Sequence, residues 1–488
     1  MIFNKRIIFF LLFLFFLIRL ISINNIPIFN DEAIYLRWGN QFIENFGKGL
    51  VPVSIDGKQA GTPILFGLAQ VLTIDPLIAG RLVSVMFSLI TFLSILKLSE
   101  KYFEGKLLIW EALILIFCPY LLLFDRMALP DGIVTALFSL SLLIFSQLME
   151  KPGLVKSILM GIILACGWWM KSTMLLAFIP IFTIYGYKFI TKAAWRKDYL
   201  FSIIALLVTF CILILPILQN PLYAQMPHFE YTRIFTFVEL IRFPVNSWLN
   251  NLLTILLLLL IYITPLLLLI FILGIKNIIQ KKFAYPLIWF FLPLVFEIFF
   301  LKNIDSRYVL ILIPIVLLLT LEGLKIMDNK IKRLVPAVVG SSILMGLILA
   351  FFPLSFYAIL SLVPRVRGDF AQYVTGWTSG YGVREAADYL KEKAPAAPVI
   401  VVFVRMDSGN PEDGVLVYLN KEKNIRVLPV NFLGDIMQNR DKLQLSSDAF
   451  YFVSRGNQLA GLGDKLKVEA KFKKPIGEEF VGVYKISL

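Results

Sequence analysis

Residues 107–149 read LLIWEALILIFCPYLLLFDRMALPDGIVTALFSLSLLIFSQLM, and this stretch decides the fold. Two apolar blocks, 107–124 and 132–149, flank the short polar loop 125–131. Each block has 18 residues, close to the roughly 20 apolar residues that a helix needs to cross a bilayer. A soluble core does not need such long blocks, so the stretch indicates two membrane-spanning helices joined by a short connection.

The composition of the whole chain supports a multi-pass membrane protein. Hydrophobic residues make up 58% of the 488 positions and charged residues only 16%, whereas a soluble chain typically has about a quarter charged residues. The net charge of +14 could indicate nucleic-acid binding. However, the basic residues lie mostly in short loops between apolar blocks, where they set membrane orientation. We therefore predict a bilayer environment and no nucleic-acid partner.

Cysteine and histidine usage excludes two kinds of site. Cys118, Cys166 and Cys211 all lie inside apolar blocks, so the sequence predicts no disulfide framework. His228 is the single histidine of the chain, which excludes a metal site with several histidine ligands.

The hydropathy pattern predicts about eleven spans, and the charges of the loops predict their orientation. Strongly basic loops alternate with loops that hold fewer cations, which places the basic set in the cytoplasm. The first block lacks the small-residue cleavage site of a signal peptide, so we expect a retained span and a cytoplasmic N-terminus. The predicted spans are 7–23, 77–96, 107–124, 132–149, 157–170, 172–189, 200–218, 251–273, 284–301, 309–324 and 334–353.

The first outer loop, 24–76, is long for a connection and has helical patterning. Ile34, Trp38 and Phe42 recur at four-residue spacing, with polar residues between them. This pattern predicts an amphipathic helix that lies in the membrane interface and is anchored there by Trp38.

Beyond about residue 355 the composition becomes that of a soluble domain. The segment WTSGYG, 377–382, predicts a turn that leads into a helix over 384–393. We predict two domains, a transmembrane domain over 1–354 and a small extracytoplasmic α/β domain over 355–488. Apolar runs predict its strands near 398–405, 425–430, 449–454, 466–473 and 479–487.

Carboxylates occur in two of the outer loops. Asp31 and Glu32 stand just outside the first span, where they could cap the interfacial helix or take part in proton transfer. The loop 125–131 contains Arg126 and Asp131, for which the alternatives are headgroup contact and capping of the next span. Each motif alone leaves both interpretations open.

Cations lie near the outer ends of several spans. Lys171, Arg307 and Arg81 are examples, and an ionisable residue at membrane depth by default marks a site or a paired partner. Near a span end, a long side chain can also reach the headgroups. The loop topology places these cations and the carboxylates on the same outer side. Such a combination suits a reaction on a lipid phosphate, in which cations hold the phosphate and a carboxylate handles a proton.

In the order and spacing of these residues, the chain resembles the GT-C superfamily of membrane glycosyltransferases. Within it, the chain is similar to the protein O-mannosyltransferase and aminoarabinose-transferase group, of the family 39 and 83 type. The resemblance covers roughly residues 1–330 and lies in the order and spacing of four elements. These are Asp31-Glu32 in the first outer loop, Arg126 with Asp131 in the second, the Gly-rich span 161–171 that ends in Lys171, and Arg307-Tyr308 followed by Pro314.

The resemblance implies an inverting transfer of a sugar from a polyprenyl- or dolichyl-phosphate donor to an acceptor hydroxyl of a protein, lipid or glycan. It implies Asp31 as the general base and Glu32 as the residue that orients the acceptor or Asp31. Asp131 would help to shape the same pocket. The resemblance implies no required metal or other cofactor, although converging carboxylates could hold a divalent cation.

The resemblance also implies a set of donor-phosphate ligands. Arg126 is the first candidate, followed by Lys58, Lys171 and Arg307. The family often has Lys-Pro-Pro late in the first outer loop, whereas residues 57–63 here read GKQAGTP. Lys58 is therefore displaced by several residues from the family position.

Two other functions remain open from the sequence. A transporter or flippase of lipid-linked sugars would use the same lipid-facing cations, but it would also need a polar path across the bilayer. A structural assembly subunit would use the outer α/β domain as a docking module. The sequence identifies neither the sugar nor the acceptor.

Overall fold

A computed structural model describes most of the chain and divides it into two compact units. The helical unit comprises Met1–Ser22, Phe46–Thr62 and Leu82–Phe356, and the sheet unit comprises Ile23–Asn45, Pro63–Arg81 and Tyr357–Leu488. Lys58 and His228 lie outside the described residues. The described ranges are 5–21, 23–45, 59–72, 75–103, 108–191, 196–224, 233–280, 285–327, 333–394, 399–405, 409–431, 449–456 and 466–486.

Helices dominate the chain, as the apolar blocks predict. In chain order they are α1 (Lys5–Ile21), α2 (Asn30–Glu44), α3 (Gly61–Gln70), α4 (Pro76–Phe103), α5 (Leu108–Phe117), α6 (Pro119–Phe124), α7 (Pro130–Glu150), α8 (Leu154–Met170), α9 (Phe178–Thr191), α10 (Arg196–Leu218), α11 (Pro221–Ala224), α12 (Phe237–Ile241), α13 (Val245–Ile263), α14 (Pro265–Gln280), α15 (Tyr285–Phe300), α16 (Ser306–Val309), α17 (Ile313–Ile326), α18 (Val335–Phe351), α19 (Pro353–Ser361), α20 (Arg367–Phe370), α21 (Val383–Lys393) and α22 (Glu412–Leu419). Short 3-10 helices, Ser172–Ala177 and Leu310–Leu312, precede α9 and α17.

Six helical stretches of the described chain are long and apolar enough to cross a membrane. A seventh is obtained if α18 and α19, which are bent by 109° at their junction, form one broken span. Three further apolar helices, α8, α14 and α15, are shorter. A multi-pass helical protein is therefore confirmed, but the predicted count of eleven spans is not.

Two of the predicted spans are interrupted by proline. The span 107–124 is divided into α5 and α6 at Cys118, and the span 251–273 is divided into α13 and α14 at Thr264. Proline lacks a backbone N–H and disfavours the helical conformation in the residue before it. Thr264 also has a φ of 81°, a value that a β-branched residue rarely adopts. The hydropathy pattern hides these breaks because the residues on both sides stay apolar.

Two apolar stretches lie deep inside the helical unit. The stretches Pro130–Glu150 and Ser306–Ile326 are each 89% buried over their membrane-length windows, whereas Lys197–Leu218 is only 22% buried. Both enclosed stretches begin with residues that the sequence identified as site candidates, Asp131 and Arg307. The fold therefore fixes these residues at the ends of well-packed helices.

Close contact between α14 and α17 depends on two glycines. A Cβ atom on Gly274 would overlap the carbonyl oxygen of Leu319, and one on Gly323 would overlap the carbonyl oxygen of Ile270. Small residues at a helix contact allow the backbones to approach and gain van der Waals contact, which is a main source of helix association in lipid.

The sheet unit contains a mixed five-stranded sheet whose elements agree with the sequence prediction. The strand order is β2-β1-β3-β5-β4, with β1 parallel to both β2 and β3, and β5 antiparallel to both β3 and β4. Val401, Phe403, Phe452, Tyr484 and Ile486 form its core. The strands are β1 (Ile400–Arg405), β2 (Ile425–Val430), β3 (Ala449–Arg455), β4 (Leu466–Lys473) and β5 (Phe480–Ile486).

The predicted interfacial helix is present as α2, but its apolar face packs inside the sheet unit. Trp38 is 5% exposed and contacts Tyr35, with ring centroids 6.3 Å apart. Arg37 forms an ion pair of 2.8 Å with the buried Asp413 of α22. The expectation that Trp38 anchors the helix in the headgroups is therefore wrong, because protein instead of lipid covers this side chain.

We expect Gly274→Ala to destabilise the helical unit, because its methyl group has no space beside Leu319. Overpacking of this kind costs about 1–3 kcal/mol. Gly340→Ala in α18 is the matched control, because a Cβ atom there meets no atom within 4 Å. Thermal unfolding of the purified protein in detergent should show a lower midpoint for Gly274→Ala and no loss for Gly340→Ala. Equal midpoints would contradict the close helix contact.

Candidate functional site

In the helical unit, two predicted site residues form an ion pair. Asp131 lies in the first turn of α7, and Lys171 occupies the single-residue junction between α8 and the following 3-10 helix. Lys171 Nζ donates a hydrogen bond of 2.6 Å to Asp131 Oδ1. Asp131 is buried, whereas 23% of the Lys171 side chain is exposed. Within the described residues, Asp131 Oδ2 has no hydrogen-bond partner.

The Arg-Tyr element at the start of α16 extends this polar arrangement. Lys171 Nζ lies 5.1 Å from the ring centroid of Tyr308, a distance at which a cation is attracted to the ring face. Arg233 donates a hydrogen bond to the Tyr308 hydroxyl, and its Nη1 lies 3.7 Å from Asp305 Oδ2. We call the five residues Asp131, Lys171, Arg233, Asp305 and Tyr308 the Lys171 cluster.

Backbone pairing holds Arg233 near Tyr308. Lys302 N donates to the Arg233 carbonyl at 2.8 Å, and Phe235 N donates to the Phe300 carbonyl at 2.8 Å. The Lys302 ammonium also donates to Glu239 at 2.7 Å, and this hydrogen bond lowers the pKa of Glu239 to about 2. Residues 233–235, just before α12, are thus attached to the chain segment that leads into α16.

The remaining predicted phosphate ligands differ in their accessibility. Arg126 is 1% exposed, and its Nε donates to the Leu122 carbonyl at 2.7 Å. Arg307 is half-buried next to Tyr308 in α16. Of the cations that the sequence singled out in the helical unit, Lys171 and Arg307 therefore expose more of their side chains than Arg126.

A buried ion pair involves a residue that sequence reasoning missed. Arg19 of α1 is 1% exposed, and its Nε and Nη2 donate to Asp125 Oδ2 at 3.0 and 2.6 Å. Arg19 Nη1 also donates to the Ile116 carbonyl at 3.3 Å. One feature of the sequence could have revealed this pair: Arg19 is a lone arginine inside the first apolar block, where a charge requires a partner. Asp125 serves as that partner.

In the sheet unit, Glu32 and Arg81 form a buried bidentate pair. Glu32 is completely buried, and Arg81 Nε and Nη2 donate to its two carboxylate oxygens at 2.9 and 2.7 Å. Arg81 Nη1 also donates to the carbonyls of Ile23 and Ile26, at 2.6 and 2.7 Å. Removal of one partner of such a pair typically costs about 3–5 kcal/mol. The pair therefore fixes the segment that leads into α2.

Asp31 is the second residue of α2 and is half-buried. The N-cap position is occupied by Phe29, whose backbone N–H donates to Glu32 Oε2 at 2.8 Å. Glu32 thus performs the capping that the sequence had offered as the alternative role for Asp31.

The segment 377–382 packs against the chain just before Asp31. Asn30 N donates to the Thr378 carbonyl at 3.0 Å, and Gly380 lies so close to the Ile28 carbonyl that a Cβ atom would overlap it. Gly382, with a φ of 88°, leads into α21 at Val383. The predicted turn is therefore present, and it supports the start of α2.

The described residues bring together no group of three or more His, Cys, Asp or Glu that could hold a metal ion. Asp131 and Glu32 instead lie against cationic partners. The predicted independence from metal remains a prediction.

Comparison with protein families gives a partial match. Residues 63–218 match the family model of dolichyl-phosphate-mannose-protein mannosyltransferase. This range includes Arg126, Asp131 and Lys171, but it is less than half of the chain. No curated protein matches the chain significantly in sequence.

Solved structures share the fold of the whole chain. ArnT from Cupriavidus metallidurans matches in the apo state with a TM-score of 0.61 and 13% identity, over 98% of this chain and 97% of that chain. The same protein bound to undecaprenyl phosphate matches with a TM-score of 0.61 and 14% identity, over the same shares. Archaeal oligosaccharyltransferase AglB from Archaeoglobus fulgidus, in complex with an inhibitory peptide and a dolichol-phosphate, has a TM-score of 0.51 and 10% identity, over 91% of this chain and 69% of that chain.

Identities this low show the fold alone, and the match to the family model adds a sequence likeness over residues 63–218. The predicted resemblance is thereby confirmed: the chain has the fold of the GT-C glycosyltransferases ArnT and AglB, and part of it matches the protein mannosyltransferase family.

Proposed function

We propose that this protein is a glycosyltransferase that moves a sugar from a polyprenyl- or dolichyl-phosphate donor to an acceptor hydroxyl. The ArnT fold and the mannosyltransferase match support this reaction class. The observation that carries the proposal is Lys171, a partly exposed cation held by the buried Asp131. A hexose and a pentose are equally compatible with this arrangement.

In the proposed reaction, Lys171 and Arg307 contact the donor phosphate first. An ammonium group has three N–H donors, of which the bond to Asp131 uses one. Because Asp131 fixes the ammonium before the donor arrives, little reorganisation is needed when negative charge develops on the leaving phosphate. We propose Arg126 and Lys58 as further ligands of the same phosphate.

We propose Asp31 as the general base. It accepts the proton of the acceptor hydroxyl as that oxygen attacks the anomeric carbon, while the bond from this carbon to the phosphate oxygen breaks. Attack opposite to the leaving group inverts the configuration of the sugar. Glu32 is committed to Arg81 and Phe29, so its proposed role is to hold the start of α2 in position.

A transporter would require a polar path through the helical unit, and some ionisable residues do lie within its helices. Lys325 Nζ lies 3.0 Å from Glu111 Oε1, and Ser99 donates to Glu111 Oε2 at 2.9 Å. Lys325, Ser99 and Glu111 thus pair with one another, as ionisable residues within membrane-spanning segments almost always do. The pairing gives these charges a structural reason that requires no transport path.

For the orientation, we propose a multi-pass protein of the cell membrane with a cytoplasmic N-terminus. We also propose a transmembrane domain over 1–354 and an extracytoplasmic domain over 355–488. Single cysteines at Lys151 and Glu478, both exposed, test this in a background without the three native cysteines. An impermeant thiol reagent should label Glu478→Cys in intact cells and Lys151→Cys only after lysis. The reverse pattern would overturn the orientation.

For the phosphate site, we expect Arg126→Ala to weaken donor binding more than Arg126→Lys, because lysine retains the charge but loses the planar fork. Loss of a charge-assisted contact costs about 1.5–3 kcal/mol. Binding of undecaprenyl phosphate to purified protein measures the effect, with Arg242→Ala, at an exposed arginine, as the control for charge alone. Wild-type affinity in a folded Arg126→Ala protein would remove Arg126 from the phosphate site.

For the base, we expect Asp31→Asn to reduce turnover by roughly two to four orders of magnitude, the usual contribution of general-base catalysis. Asparagine keeps the size of aspartate and caps as well, so thermal stability and donor binding should stay normal. Asp388→Asn, at an exposed carboxylate of the sheet unit, is the matched control.

The decisive measurement is single-turnover transfer from a saturating labelled polyprenyl-phosphate sugar, followed by thin-layer chromatography. An enzyme releases free polyprenyl phosphate and labels the acceptor, whereas a flippase leaves the donor intact. Near-normal turnover by Asp31→Asn would assign the base elsewhere, with Asp131 as the next candidate.

A further inference from the structure

The sheet unit contains a cavity of about 290 Å³, close to the lower end of the range of roughly 300–1,000 Å³ for small-molecule pockets. A ligand of the size of one sugar ring fits such a volume better than a folded peptide does. Six of its lining residues carry the chemistry: Trp377, Ser379, Asn410, Arg455, Lys474 and Glu479.

The cavity lies where the topology of the sheet favours a ligand. β1 stands between β2 and β3, and both neighbours are parallel to it. In sequence, β2 follows on one side of β1 and β3 on its other side. In α/β sheets, ligands bind at the carboxyl ends of the strands where the strand order reverses in this way. Asn410 follows β1 in sequence and Arg455 is the last residue of β3, and both line the cavity.

The charges around the cavity are already compensated by neighbouring side chains. Lys474 Nζ lies 3.1 Å from Glu479, and Arg455 Nη2 lies 3.7 Å from the buried Glu412. The lining therefore has no excess of positive charge with which to bind a phosphate or a nucleotide. It is better suited to a neutral ligand.

Two buried polar atoms of the cavity lining have no hydrogen-bond partner among the described residues. Asn410 is 1% exposed, and its Oδ1 has no hydrogen-bond partner in the described part of the chain. Arg455 Nε is also buried without a partner there. Trp377 is about half exposed, at 48%, and Arg455 lies 4.9 Å from its ring centroid. An acceptor atom, a donor atom and an aromatic surface together match a polyhydroxylated ring.

The same cavity wall holds the chain next to the proposed base. Asn410 N donates to Asn30 Oδ1 at 2.9 Å, and Asn410 Nδ2 donates to the Ile28 carbonyl at 2.9 Å. Asp31 directly follows Asn30. A ligand in contact with Asn410 therefore lies against the residue that positions the start of α2.

We propose that this cavity is a carbohydrate subsite that binds a sugar ring of the acceptor, so that the acceptor is a glycan or glycolipid. Trp377 supplies the apolar surface for the ring, and Asn410 and Arg455 bind its hydroxyl groups. The acceptor assignment rests on the proposed glycosyltransferase function, whereas sugar binding by the cavity does not require any transfer.

The experiment uses the full-length protein in detergent and saturation-transfer NMR. The probes are methyl pyranosides of the common hexoses, N-acetylhexosamines and 6-deoxyhexoses, with a serine-containing hexapeptide for comparison. We expect saturable binding of at least one pyranoside. Trp377→Ala should weaken it by roughly tenfold or more, and Trp377→Phe by less. Tyr389→Ala, on α21 and outside the cavity lining, should bind like the wild type.

Any of three results would overturn the proposed subsite. These are no binding of any pyranoside, equal pyranoside binding by the wild type and the Trp377 variants, and binding of the peptide alone. Donor turnover by the wild type is measured in parallel, so turnover without pyranoside binding rejects the subsite and leaves the proposed function standing. Pyranoside binding without donor turnover overturns the acceptor assignment together with the proposed function.

Discussion

The cost of burying a charge in apolar surroundings is the constraint on which the arrangement of candidate residues depends. An isolated buried charge costs several kcal/mol or more, and a close partner of opposite charge offsets most of that cost. The chain meets this constraint with buried or partly buried pairs, of which Arg81–Glu32 and Lys171–Asp131 contain the proposed functional residues. Both pairs lie at a helix start, so satisfying the charge also fixes the helix end on which function depends.

Local pattern was sufficient to predict the secondary structure of the sheet unit. The helix expected over 384–393 is Val383–Lys393, and the strand expected near 425–430 is Ile425–Val430. These elements are short, bounded by turn residues, and have an apolar pattern that depends only on near neighbours. The helical unit was harder, because proline breaks at Cys118 and Thr264 leave the hydropathy unchanged.

Pairing between distant residues was not predictable in the same way. Arg19 and Asp125 are 106 positions apart, and Arg81 and Glu32 are 49 positions apart. The sequence indicated that each buried charge needs a partner, but it could not say which one. Trp38 was expected in the headgroups for the same reason. The apolar face of α2 was evident from the sequence, whereas α22, which packs against α2, lies far downstream in the chain.

The hydrogen bond between Asn30 and Asn410 has a consequence for biogenesis. These residues are 380 positions apart, and synthesis at roughly 5–20 residues per second separates their emergence by tens of seconds. For most of that interval α2 has been synthesised, but neither α22 nor the segment 377–382 exists to cover it. The segment that contains Asp31 can therefore reach its final packing only when translation is nearly complete. A truncated product would retain many of its apolar helices and still lack the support of its proposed base.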